Sequence, residues 1–161
     1  MAFPWGAESA WSNTGARGRV WRALRWPVLA SGFVLALGCS RFKLVRECQE
    51  VQNTINSQLD VIETMSKEPV PPADKLFRIA KRYRVLGREL RASPPSHGPL
   101  AEHVKQYAGL VDRIAVATLR LSQAYGAKQA AGRQAAQREL DQLAERQTTL
   151  SRGIERLCVE P

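Results

Sequence analysis

"AYGAKQAAG", residues 124–132, decides how many helices this chain has. Apolar residues recur at helical spacing on both sides of it: Leu100, Val104, Tyr107, Val111, Ile114, Leu121 and Tyr125 before, and Leu140, Leu143, Leu150, Ile154 and Leu157 after. Gly126 and Gly132 each cost a helix roughly 1 kcal/mol relative to alanine, which weakens a helix without forbidding it. Residues 100–157 are therefore either two antiparallel helices joined near these glycines or one rod of roughly 85 Å at 1.5 Å per residue.

Working towards the N-terminus, the breaks are firmer. "ASPPSHGP" (92–99) and "SKEPVPPAD" (66–74) place prolines where a helix cannot continue. Between them Leu76, Ile79, Ala80, Tyr83, Leu86 and Leu90 share one helical face, and Asp74 stands where an N-cap is expected. From Val45, an earlier helix repeats apolar residues at Cys48, Val51, Ile55, Leu59, Ile62 and Met65. No segment alternates as a strand does, and no glycine-rich phosphate loop follows one. The fold class is all-α.

Composition divides the chain again, near residue 38. Of 161 residues, 44% are hydrophobic and 24% charged, as in a globular chain, with a formal net charge of +9. All four tryptophans (Trp5, Trp11, Trp21 and Trp26) precede residue 27, and Arg17, Arg19, Arg22 and Arg25 stand against the lone acid Glu8. After them "VLASGFVLALGCSRF" (28–42) carries an apolar run of about a dozen residues, short of the roughly 20 needed to span a bilayer. A positive region, a short apolar box and small residues at its end describe a secretory signal peptide over 1–38.

The end of that run, Leu35-Ala36-Leu37-Gly38-Cys39, resembles a bacterial lipoprotein signal, in which a small residue precedes a cysteine that becomes lipidated. The resemblance covers the leader only. Gly38 and Cys39 fit its pattern, whereas Leu37 stands where a small residue is more usual and Ala36 where leucine is. It implies cleavage before Cys39, acylation of Cys39 and a membrane anchor in the bacterial envelope, at the outer membrane facing the periplasm. An ordinary signal peptidase would cut the same bond, since Ala36 and Gly38 are spaced for it. A leader of 38 residues is long for either enzyme, and Val20 begins a compact leader of its own with Arg22 and Arg25, so translation starting at Val20 is a second expectation. Residues 39–44 then read as a lipid-anchored tether and 45–158 as the helical bundle.

With Cys39 acylated, Cys48 and Cys158 remain as a pair, which removes an odd thiol from an oxidising compartment. In an up-down-up-down bundle of four helices, the start of the first and the end of the last share one end, so these two can form a disulfide. With three helices they would stand far beyond the ~7 Å Cα limit. Four helices is the expected fold, with the two proline-rich connections at opposite ends.

Little in the chain points to catalysis. His97 and His103 are the only histidines, with no second ligand cluster, and the serines lack a partner base in sequence. No metal, cofactor or enzymatic activity is expected. The strongest signal for a partner is "DKLFRIAKRYRVLGRELR" (74–91), with seven basic residues against Asp74 and Glu89. Arg78, Lys81, Arg82, Arg84, Arg88 and Arg91 are candidate anion-binding residues, because clustered arginines raise a positive field and bind phosphate bidentately. A solvated face pairing with acidic neighbours is the plainer reading of the same run. "SRFKLVR" (40–46) adds Arg41, Lys43 and Arg46 beside the lipid site.

The expected function is a non-catalytic, membrane-anchored lipoprotein whose bundle serves as an envelope interaction or structural module with a protein partner. The alternative is a binder of an anionic envelope ligand, lipid or lipopolysaccharide, on the basic helix. Nucleic acid is not an expected partner.

Overall fold

The computed structural model describes residues 35–159, with side chains from Arg41 onward. Four helices follow one another: α1 (Leu35–Lys67), α2 (Pro72–Ala92), α3 (Gly98–Gly126) and α4 (Ala130–Val159). They form an all-α, up-down-up-down four-helix bundle, and among the described residues there is no strand. The leader residues 1–34 and the candidate start at Val20 lie outside the described residues.

α3 is the central column. Leu100, Tyr107, Val111, Ala115 and Ala117 on it are wholly enclosed, and they meet Leu86 and Leu90 of α2 and Leu140 and Leu143 of α4. α1 contributes Cys48, Val51 and Ile62 and packs mainly along α2, making much less contact with α4. The apolar seams expected from spacing are the buried faces, with Ala136 and Gln147 of α4 as additions. Among the described residues this core runs from Cys48 to Ile154, with Leu44 and Cys158 packed against it, so the bundle has what a domain needs to fold by itself.

The segment that decides the helix count is a turn of three residues. Lys128 takes a left-handed conformation (φ 55°). Its N–H donates to Tyr125 O (3.2 Å), and that of Gln129 donates to Ala124 O (2.9 Å). These two bonds are the reciprocal pair of a Schellman C-cap, in which the left-handed position usually belongs to glycine. Neither Gly126 nor Gly132 occupies it. Gly132 instead lets the start of α4 close on α3, where an added Cβ would lie 3.2 Å from Ala124 Cβ.

Two boundaries differ from expectation. Asp74 is not the N-cap of α2, because Pro71 is: Pro72 opens the helix, where its fixed φ suits the first turn, and Lys75 N–H donates to Pro71 O (3.0 Å). Residues 39–44, read as a tether, are helical. α1 therefore overhangs the α2–α3 connection, which meets it at Glu47 through Ser96 and His97. About a dozen residues of α1, roughly 18 Å, stand beyond that level.

Candidate anion-binding face and bundle end

At 100° per residue the apolar seam of α2 faces α3, leaving Phe77, Lys81, Arg84, Arg88 and Arg91 on the outward side. Lys81, Arg84, Val85, Arg88, Arg91 and Asp112 line an open groove of about 550 Å³ there. Lys81 Nζ sits 4.4 Å above the centroid of the Phe77 ring, a cation–π contact. Arg91 donates twice to Asp112 of α3, at 2.7 and 3.3 Å. Gly87 makes room for that carboxylate, since a Cβ at this position would fall 2.6 Å from Asp112 Oδ1. Arg84 and Arg88 have no ion-pair partner among the described residues.

The structure thus sorts the six candidate cations. Lys81, Arg84, Arg88 and Arg91 converge on one groove, with a single carboxylate that Arg91 already engages. Arg78 does not join them. It binds Glu68 of the α1–α2 connection through both guanidinium nitrogens. Arg82, four residues on and therefore on the same flank of the helix as Arg78, is half-buried and does not line the groove.

The other concentration of chemistry is the end where α1 begins and α4 finishes. Cys48 and Cys158 are joined in a disulfide there, with Cα atoms 5.7 Å apart. Beside them Glu47 is only 8% exposed. Its carboxylate accepts hydrogen bonds from Ser96 Oγ (2.5 Å), Ser96 N–H (3.1 Å) and His97 N–H (3.1 Å). The hydroxyl of Ser96 and the two backbone donors hold the Glu47 carboxyl below the usual carboxylate range, outweighing its burial. The α2–α3 connection with Pro94 and Pro95 therefore lies at the disulfide end, and the connection with Pro69 and Pro71 at the far end.

Sequence reasoning missed Glu47. The signal was present: it lies on the same helical stripe as Leu44 and Val51, so an acid there faces the bundle and needs donors.

Three of the large exposed hydrophobics collect at this end: Phe42 (74% exposed), Val45, and Val159 (70%), one residue beyond the disulfide. Exposed Arg41, Lys43, Arg46, Arg152 and Arg156 surround them in sequence. Lys43 and Arg46 reach Glu47 (4.0 Å) and Glu50 (3.6 Å), one turn along the helix. Cys39 lies in α1, nine residues before Cys48.

Both histidines have structural partners. His97 caps α3, its Nδ1 accepting from Leu100 N–H at 3.4 Å, and His103 Nδ1 lies 3.0 Å from Pro99 O while its ring covers Gly153. In the core, burial pushes the hydroxyls of Tyr83 and Tyr107 up, and Tyr107 accepts from Gln147 Nε2 at 3.0 Å. Among the described residues no group of His, Cys, Asp or Glu could hold a metal ion, and no helix is long and apolar enough to cross a membrane.

In comparison with known proteins, no family model matches the chain, and no curated protein or solved structure does so significantly.

Proposed function

We propose that this chain is a bacterial envelope lipoprotein: cleaved before Cys39, acylated there, and acting without catalysis as a rigid interaction or structural module for a protein partner. The observation that carries this reading is the position of Cys39. It lies on the helical overhang of α1, nine residues before the cysteine that ties the first helix to the last. A lipid on Cys39 would attach the bundle by its covalently closed end. Phe42, Val45 and Val159 would then enter the interfacial region, and Arg41, Lys43 and Arg46 would meet anionic headgroups. The far end, with Pro69, Pro71 and the turn at Lys128, would face away from the membrane, at the outer membrane into the periplasm.

Metabolic labelling with an alkyne palmitate, followed by crosslinking in intact envelopes, tests both halves of the reading. Label on the wild-type chain that disappears in Cys39→Ala, with one specific protein crosslinked to the bundle, is the expected result. Unlabelled wild-type protein would overturn the anchor, and crosslinking that yields no specific protein would overturn the docking role.

A further inference from the structure

We propose that the outward groove of α2 binds a phosphate-bearing amphiphile, with the phosphate held by Arg84 and Arg88 and the apolar part laid along Val85. This goes beyond the anchoring role and does not depend on acylation of Cys39.

Charge comes first. Four cations and one carboxylate line the groove, and the carboxylate is already bonded to Arg91. The open groove between α3 and α4 differs, because it sets Arg113 and Arg146 beside Glu145. The α2 groove therefore presents the larger excess of positive charge of these two grooves. Arg84 and Arg88 lie one turn apart on the same stripe, so both guanidinium groups can serve one anion, each with paired donors suited to phosphate oxygens.

The groove's shape narrows the class. Its lining surface is mainly carbon, which Val85 and the aliphatic stems of Lys81, Arg84, Arg88 and Arg91 supply beside their charged heads. A small inorganic anion would leave that surface wet. A molecule with a phosphate at one end and an apolar body covers both. Phe77, nearly half exposed one turn before Lys81, extends the apolar strip and holds the ammonium group at the groove's end.

The test uses the oxidised, unacylated bundle, residues 40–161, which contains the whole core. Calorimetric titration with dihexanoyl phosphatidic acid, kept below its aggregation threshold, should show saturable binding of one molecule per chain. Glycerol 3-phosphate should bind at least about tenfold more weakly, since it offers the phosphate without the chains. Arg84→Gln with Arg88→Gln should weaken phosphatidic acid binding by roughly a hundredfold, on the order of tenfold for each charged hydrogen-bonding group lost. Arg82→Gln, off the groove, should leave it within about twofold. Arg84 and Arg88 are exposed and Arg82 is half-buried at the helix surface, and the variants should keep the wild-type helical circular dichroism.

Equal affinity for glycerol 3-phosphate would overturn the amphiphile class and leave a simple phosphate site. An equal loss in Arg82→Gln, or absence of saturation, would reduce the groove to diffuse charge and overturn the site. Full displacement of phosphatidic acid by an oligoglutamate peptide would assign the stripe to an acidic protein and overturn the lipid. Because this chain carries no acyl group, each of these failures leaves the modification of Cys39 to be decided by its own measurement.

Discussion

Glu47 and Cys48 are consecutive in α1 and fasten it to two different parts of the bundle. The carboxylate of Glu47 accepts three hydrogen bonds from Ser96 and His97 at the head of α3, while the sulfur of Cys48 is bonded to Cys158 in the last turn of α4. Along the rest of its length α1 leans on α2 and contributes comparatively few core side chains. The outermost helix of the bundle thus carries its covalent contact and its buried carboxylate at one level, while Gln58 bonded to Glu89 and Ser66 O bonded to Lys75 tie it to α2 further along. That level is also the base of the overhang carrying Cys39.

The covalent contact closes a loop spanning a sequence separation of 110. The chain-entropy model assigns roughly 4–5 kcal/mol to a loop of that length, large beside the 5–15 kcal/mol typical of a domain. Cys158→Ser, or reduction, is expected to lower the melting temperature by on the order of 10 °C. An unchanged melting temperature, or free thiols at both positions in peptide maps of envelope-derived protein, would contradict this.

The Glu47 clamp makes stability depend on pH in a defined window. Its native carboxyl titrates below the unfolded value of 4.5, so the clamp contributes fully above about pH 4.5. The contribution is lost as pH falls from there through the lowered native value. Glu47→Gln keeps the shape but replaces one acceptor oxygen with a donor facing donors, and should cost about 1–3 kcal/mol at neutral pH. Urea midpoints measured between pH 3 and 7 should converge for wild type and variant at the acid end. A constant gap would contradict the assignment.

Lys128 holds a left-handed conformation that disfavours any residue with a Cβ. Lys128→Gly should therefore stabilise the bundle by about 0.5–1 kcal/mol, despite the added freedom of the unfolded chain. Thermal unfolding checks the sign. A destabilised variant would mean that the turn does not limit the α3–α4 junction.

The sequence carried the helices because their apolar faces repeat at 3.6 residues and prolines stop two of them sharply. The third junction was read from Gly126 and Gly132, yet Lys128 supplies the turn; its left-handed backbone answers to how α3 and α4 pack, which no local residue preference announces. Pro72 displaced Asp74 as the marker of the start of α2 for a local reason, the fixed φ of proline. On the basic helix, spacing could not say which cations would find partners. Arg78 and Arg91 are matched by Glu68 and Asp112, residues 10 and 21 positions away, and only the fold brings them together. Glu47 was visible as an acid on an apolar stripe, but its donors lie 49 and 50 residues further along.

Anchoring through Cys39 is tested most directly by the intact mass of protein extracted from bacterial envelope membranes. The expected species is a chain beginning at Cys39 that carries a diacyl or triacyl adduct on that residue. A soluble, unmodified chain that still carries the leader would contradict it.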